Sequence, residues 1–339
     1  MKVLFITHTR IGDAVLSTGL LDLLRRQYPR LRVTVACGPA CTGLFEDMPD
    51  VERVIAMPKR PWGGHWFRLW RQVAATRWSL IVDLRASLIS WCLLARRRRS
   101  HWVPPSGGHK LQQMGMLFRQ IEPPAPRLFP APRHRAAAEA AMKVAGSVPA
   151  PVLALAPTAN WGGKVWPAER FVAAAERLCA SGALLDGIGG IAVFGGPGEE
   201  SMAGPVVEGL RQKGFTVLDL CGRLDLLSAH AALQRCAFFI GNDSALMHMA
   251  AAAGIPTLGL FGPSREEQYR PWGPHGAAVR TALSYDEILR QPGYDYRRAD
   301  SHMESLSVEA VVAAAERLAA DLVDSDWQPP VPEPAGSRP

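Results

Sequence analysis

No two of the six cysteines (Cys37, Cys41, Cys92, Cys179, Cys221, Cys236) stand in Cys-x-x-Cys spacing. In a chain of 339 residues they read as free thiols of a reducing compartment, which excludes a disulfide scaffold and a zinc ribbon. Long apolar runs are missing too. Only Val3 to Ile6 precede polar residues at the start, too short a stretch for a secretory leader. The longest apolar stretch, Ala245 to Phe261, is interrupted by His248, Gly254 and Pro256. It parses as a buried helix followed by a strand, not as a membrane span. The expectation is a cytoplasmic protein. Asp, Glu and His show no ligand spacing, so no metal site is expected. No repeat of fixed period is evident. Gly187-Ile-Gly-Gly precedes its strand where a dinucleotide fingerprint would follow it.

What is present is ordinary globular composition, 48% hydrophobic and 20% charged, so large-scale disorder is not expected. The length suits two domains, each able to bury a core. Strand-like runs Val3–Ile6, Arg32–Ala36, Val54–Met57 and Leu80–Asp83 alternate with helical or loop sequence, among it an amphipathic stretch Ala14–Gln27. The second half repeats this rhythm: strands Val152–Ala156, Ile191–Phe194, Thr216–Asp219, Ala237–Ile240 and Thr257–Phe261, with a helix Pro167–Ser181. That is the βαβ pattern of parallel sheets covered on both faces, and the expected fold class is α/β with two open, doubly wound domains facing a cleft. Glu122–Arg135 holds five prolines and reads as the boundary, giving domains 1–135 and 136–305. An alanine-rich helix with Ser305 or Ser307 as its cap lies within 306–323. The tail 324–339, with five prolines in its last twelve residues, is expected to be disordered.

Charge is divided unequally. The net +7 hides 22 Lys+Arg against 8 Asp+Glu in Met1–Arg135, and 16 against 23 in the remainder. Such asymmetry points to an anionic partner for the first half: nucleic acid, an acidic membrane surface or an anionic substrate. A generally basic proteome would colour both halves. The positive charge concentrates in Lys59, Arg60, Arg68, Arg71, Arg77 and the run Arg96–Arg99, with Trp62, Trp66, Trp70, Trp78, Trp91 and Trp102 interleaved. Arginines with aromatics suit a membrane surface or an anionic lipid-sugar, and equally single-stranded nucleic acid. A solvated basic face over core tryptophans is the plain alternative.

Four segments carry candidate chemistry. In the run from Phe239 to Pro256 a buried strand enters the turn Gly241-Asn242-Asp243-Ser244, which opens a helix. The free amides and aligned dipoles of a first helical turn seat a diphosphate, and Ser244 and His248 share one helix face. Spacing alone leaves open that Asp243 or Ser244 is merely an N-cap and His248 merely packed. Thr158-Ala-Asn-Trp-Gly-Gly-Lys164-Val-Trp-Pro places a lysine on a glycine-rich loop, where it can act as a point charge on phosphate. Val193-Phe-Gly-Gly-Pro-Gly-Glu199-Glu200 is a strand running into a glycine turn with acids behind it. Arg10-Ile-Gly-Asp13 lies between the first strand and helix, where open α/β sheets place ligands; an N-cap is the alternative for Asp13.

Together with Gly254-x-Pro256 and Leu260-Phe-Gly-Pro-Ser264, these segments resemble the ADP-heptose:lipopolysaccharide heptosyltransferase family, inverting glycosyltransferases of two-Rossmann (GT-B) architecture. The resemblance implies Asp13 as the base that takes the acceptor proton. It also implies a donor-diphosphate seat of Lys164, Ser244, Ala245, Leu246 and His248, and contacts to the donor sugar or nucleoside from Thr158, Glu199 and Asp243. Ala245 departs from the glycine usual there. Arg60, Arg68, Arg96 and Arg97 are the candidates for acceptor or membrane contact, and the final helix is expected to cross back and brace the first domain. The implied partners are a nucleotide-sugar co-substrate, ADP-heptose, with no other cofactor, and a lipid-linked anionic oligosaccharide at the inner face of the cytoplasmic membrane; nucleic acid is not expected. Other nucleotide sugars or acceptors fit the same pattern. A sugar-nucleotide epimerase could share the architecture, but would not need the basic first half or Arg10–Asp13. Asp13, Lys164 and the Gly-Asn-Asp-Ser turn together argue against a non-catalytic binding module.

Overall fold

A computed structural model describes residues 1–100, 107–143, 151–182, 188–292, 294–298, 300–323 and 327. The tail expected to be disordered, Trp327 apart, lies outside these residues, as do Trp102 and Gly187. The chain divides into two compact units, Met1–Phe129 and Pro130 onward, a few residues before the boundary expected at 135.

The first unit is a parallel sheet of β1 (Lys2–Ile6), β2 (Arg32–Cys37), β3 (Val51–Ala56), β4 (Trp78–Asp83) and β5 (Ala95–Ser100), in the order β3-β2-β1-β4-β5. Helices α1 (Ile11–Gln27), α2 (Gly64–Val73) and α3 (Lys110–Met116) accompany it. Central β1 runs Val3-Leu4-Phe5-Ile6 with every side chain fully buried, as a strand covered on both faces requires. The arginine run is β5, an edge strand that pairs Arg97 with Leu80 of β4. Charged side chains on an open edge discourage further strand pairing.

The proline segment expected to be a linker does something else. It crosses α1 at Gly19, where an added Cβ would come within 2.3 Å of the Pro124 carbonyl oxygen. The Arg127 amide then donates to Thr18 Oγ1 at 3.0 Å. Its last part is already helical: α4 (Pro132–Lys143) opens on a proline, which suits a first turn that needs no amide donor.

The second unit continues with α5 (Ala168–Ser181), α6 (Glu200–Gln212), α7 (Leu226–Leu233), α8 (Ala245–Ala252), α9 (Glu266–Tyr269), α10 (Tyr285–Leu289) and α11 (Val308–Val323). Its strands β6 (Val152–Ala156), β7 (Gly190–Val193), β8 (Val217–Asp219), β9 (Phe238–Asn242), β10 (Thr257–Phe261) and β11 (Gly276–Arg280) form a parallel sheet ordered β11-β10-β9-β6-β7-β8. In both sheets the strand order reverses beside the first strand of the unit, between β1 and β4 and between β6 and β9. Open α/β sheets bind ligands outside the carboxyl ends of their strands at such a switch point.

The final helix contributes to the core of the second unit. Val311, Ala314, Ala315, Leu318 and Ala319 of α11 are buried in the same core cluster as Phe171, Ala174, Ala175 and Leu178 of α5. Its small-residue face thus packs within its own unit, where alanines allow close helix approach. Ser307 caps it, accepting from the Ala310 amide at 3.1 Å.

Candidate functional site

The carboxyl edge of the second sheet gathers every residue expected to meet the donor. Asn242 ends β9 and is fully buried; its Nδ2 donates to the Pro157 carbonyl at 2.8 Å and its Oδ1 accepts from the Trp166 amide at 3.2 Å. One side chain thereby ties the β9 terminus to both ends of the loop that follows β6. Gly241 before it is obligatory, since a Cβ would lie 2.7 Å from the Phe239 ring and 2.9 Å from the Ala156 carbonyl. Next in the chain, Asp243 accepts from Lys164 Nζ at 2.5 Å, which places the loop lysine directly over the β9 turn.

Ser244 occupies the N-cap position of α8, yet its hydroxyl caps no amide. Ser244 Oγ is buried and has no hydrogen-bond partner among the described residues. Capping therefore does not account for it. Ser244, Ala245 and Leu246 are half-exposed, and a helix leaves its first-turn amides without intrahelical acceptors. An accessible α8 terminus, a free hydroxyl and the Lys164 ammonium together favour an anion. His248 is buried one turn further on, its ring 6.5 Å from that of Tyr269.

The Lys164 loop is braced from a distant stretch of chain. Trp161 Nε1 donates to the Arg298 carbonyl at 2.9 Å, and the His302 amide to that of Gly163 at 3.0 Å. Ser301 Oγ donates to the Val165 carbonyl at 2.7 Å, and Trp166 Nε1 to that of Leu306 at 2.9 Å. The Trp161 and His302 rings lie 5.7 Å apart. The sequence gives no site role to 298–306, because these bonds go to backbone carbonyls and leave no motif.

Thr158, buried just beyond β6, and Glu199, half-buried beyond β7, lie on the same edge. Glu199 Oε2 accepts from the Gly196 amide at 2.7 Å and so closes its own glycine turn. Gly195 is required there, since a Cβ would meet Cys221 Sγ at 2.5 Å. Exposed Glu200 folds back similarly onto the Gly198 amide, and backbone hydrogen bonds hold its carboxyl below the usual range.

In the first unit, Asp13 is the third residue of α1, and its helix is entered from Arg10, not from an aspartate cap. Asp13 Oδ1 is buried with no hydrogen-bond partner among the described residues. The preceding loop is fastened independently of it. Thr7 Oγ1 bonds Ser17 Oγ at 2.8 Å, and the Gly38 amide donates to the His8 carbonyl at 3.1 Å. Burial, with a smaller contribution from the Asp13 charge, pushes the nearby Cys41 thiol up to about 12. It is therefore a neutral neighbour and not a competing nucleophile. Across the switch point, Asp83 ends β4 and accepts from the amides of Arg85 and Ser87. Arg85 lies 4.5 Å from the Trp66 ring centre, and its Nη1 is buried without a partner among the described residues. Neither Asp83 nor Arg85 was singled out from sequence.

Arg60, Arg68, Arg96 and Arg97 are all exposed and scattered over the α2 approach and β5. Arg98 turns inward and donates to the Ser90 carbonyl at 2.8 Å. Of the interleaved tryptophans, Trp78 is core and Trp66 half-buried, whereas Trp62, Trp70 and Trp91 face solvent. Among the described residues, no group of three or more His, Cys, Asp or Glu is placed to hold a metal ion.

Lipooligosaccharide heptosyltransferase 2 of Haemophilus ducreyi is 26% identical over 318 residues, 83% of this chain and 88% of that protein. Lipopolysaccharide heptosyltransferase 2 of Salmonella typhimurium is 24% identical over 325 residues, covering 86% and 91%. In fold, the chain is similar to a glycosyl transferase family 9 protein of Veillonella parvula, with TM-score 0.77, 22% identity and coverage of 94% and 97%. It is similar also to E. coli ADP-heptose lps heptosyltransferase II, with TM-score 0.71, 19% identity and coverage of 95% and 100%. The E. coli heptosyltransferase WaaC, solved with ADP, gives 0.63, 17%, and coverage of 94% and 100%. The model of glycosyltransferase family 9 (heptosyltransferase) matches residues 93–291, more than half of the chain, and the chain belongs to that family.

Proposed function

We propose that this enzyme transfers a heptose from ADP-heptose to an anionic, lipid-linked acceptor of the lipopolysaccharide inner core, with inversion and without a metal ion. The observation that carries the reading is the unpaired Ser244 hydroxyl at the α8 terminus beneath the Lys164–Asp243 pair. A nucleoside diphosphate laid there accepts from Ser244 and the Ala245 and Leu246 amides, and draws the Lys164 ammonium. Thr158, Glu199 and Asp243 border the positions open to its nucleoside and sugar, and His248 backs the seat. The acceptor hydroxyl attacks the anomeric carbon as the bond to the diphosphate oxygen breaks. Asp13 takes the hydroxyl proton; its unsatisfied Oδ1 is suited to that because no donor among the described residues competes for it. Charge building on the departing ADP is met by the ammonium and the α8 dipole. Arg60, Arg68, Arg96 and Arg97 attract the anionic acceptor to the cytoplasmic face of the membrane.

The test is calorimetric titration of ADP, UDP, GDP and dTDP into wild type and Lys164→Ala. Selective ADP binding, weakened in the variant, is expected. Preference for another nucleotide would retain the mechanism and replace the donor, whereas no binding at all would overturn the transferase reading. Activity lost in EDTA and restored by magnesium would overturn metal independence.

A further inference from the structure

No helix among the described residues is long and apolar enough to cross a membrane, yet the first unit exposes large apolar side chains in one neighbourhood. Trp62, Phe67, Trp70, Leu88, Trp91 and Leu94 all face solvent, Trp62 completely. They belong to α2, the turn before it, and the 3-10 turn Leu88–Cys92 with the residues just after it. These elements are fastened side by side. Leu69 and Val73 of α2 and Ile89 and Leu93 beside the turn enter one core cluster, and Trp70 Nε1 donates to the Cys92 carbonyl at 3.2 Å. Their inward faces being used, the outward side chains leave apolar surface open to solvent.

Three features separate this patch from scattered surface apolar residues. The turn that lifts Trp62 is strained: Trp62 has φ 55°, a region bulky residues avoid, and Gly63 follows at φ 69°. The Trp91 ring is supported from behind by Arg98, 5.7 Å from its centre, so it is held outward. The surroundings are also of one sign. Between Arg53 and Ile121 the sole acid is Asp83, which is buried, while Lys59, Arg60, Arg68, Arg71, Arg96 and Arg97 are exposed.

We infer that α2 and the Leu88–Leu94 segment form a docking face for an anionic lipid bilayer, the aromatic and leucine side chains entering the interface and the basic residues meeting headgroups. Indole rings with arginines around them match the interfacial zone, where an apolar body and a polar rim are both accommodated. The inference rests on the reading of a lipid-linked acceptor. It goes beyond that reading in naming the surface that inserts.

The full chain is sedimented with vesicles of phosphatidylethanolamine and phosphatidylglycerol, and with phosphatidylcholine alone. Binding to the anionic vesicles that weakens with salt is expected, with bromine-labelled lipid tails quenching tryptophan fluorescence. Trp62→Ser with Trp91→Ser, both exposed, should lower partitioning about tenfold and abolish most quenching, because apolar insertion is lost. Arg96→Gln with Arg97→Gln should flatten the salt dependence and leave the depth of quenching unchanged. Transfer to a water-soluble, delipidated acceptor should be unaltered in Trp62→Ser/Trp91→Ser, so failure of docking is distinguishable from failure of the transferase reading. Vesicle binding unchanged in Trp62→Ser/Trp91→Ser, no binding by wild type, or binding of a single-stranded oligonucleotide in preference to vesicles would each overturn the inference.

Discussion

Lys164 and Asp243 come from loops after different strands, 79 residues apart, and meet as an ion pair in which the aspartate is the more buried partner, 6% exposed against 22%. The pair couples two duties. Asp243 fixes where the ammonium stands, and the ammonium compensates a carboxylate taken out of water. Removing the lysine alone leaves that carboxylate uncompensated, which costs roughly 1–3 kcal/mol at a partly open site. Lys164→Ala should therefore both lower the melting temperature and weaken ADP binding. Adding Asp243→Asn should recover most of the stability but not the affinity. Calorimetry and thermal denaturation of the single and double variants check this; affinity recovered together with stability would mean that Lys164 acts on folding alone.

Asp13 gives the opposite signature. Its Oδ1 bonds no donor among the described residues and the α1 entry is not capped by it, so Asp13→Asn removes little beyond a favourable charge near a helix N-terminus, about 0.3–1 kcal/mol. If it is the base, kcat should fall roughly 10²–10⁴-fold with ADP affinity unchanged. Single-turnover transfer with ADP titration distinguishes these outcomes. A stability loss of several kcal/mol, or full activity, would remove Asp13 from the chemistry.

The buried strands were legible because they are uniform runs of aliphatic and aromatic residues: Val152–Ala156 and Thr257–Phe261 were placed at their observed ends. Two of the four edge strands were not. β5 is a run of arginines and β11 reads Gly-Ala-Ala-Val-Arg, and neither carries the apolar density by which strands are recognised, since an edge needs only one covered flank. Site residues were legible where they sit in short contiguous stretches at strand ends, as from Gly241 to Ser244. Their support was not. Asn242 acts through a carbonyl 85 residues away, and α11 chose its partner by a small-residue face that would fit more than one neighbour.

The 298–306 brace predicts a selective defect. Trp161→Phe keeps an aromatic ring beside His302 but deletes the 2.9 Å bond to the Arg298 carbonyl, 137 residues away. Such a bond contributes about 0.5–1.5 kcal/mol. The loss should loosen the loop that carries Lys164, lowering ADP affinity several-fold while leaving global melting within a degree or two. Ser301→Ala, which frees the Val165 carbonyl, should act in the same direction. Unchanged ADP affinity in both variants would show that the loop holds its place without the brace.

The proposed anion seat should have its own acid sensitivity. His230 of α7 is fully buried beneath α8 and bonds the Met249 carbonyl through Nδ1 at 3.2 Å. Burial lowers its pKa from 6.5 to about 4, the backbone bond opposing only part of that shift. The folded state therefore holds the imidazole neutral, while the unfolded chain takes up a proton below the ordinary value of 6.5. Stability from this group is complete above pH 6.5 and is lost as pH falls towards 4, by on the order of 3 kcal/mol across that window. Because His230 is buried against α8, charging the imidazole there should loosen the packing beneath the helix whose N-terminus is the proposed seat. ADP affinity should then decline with stability on the acid side. His230→Gln retains a donor for the Met249 carbonyl and cannot titrate, so denaturant unfolding at a series of pH values should give a flatter acid limb than wild type. The same acid slope in the variant would place the acid sensitivity elsewhere.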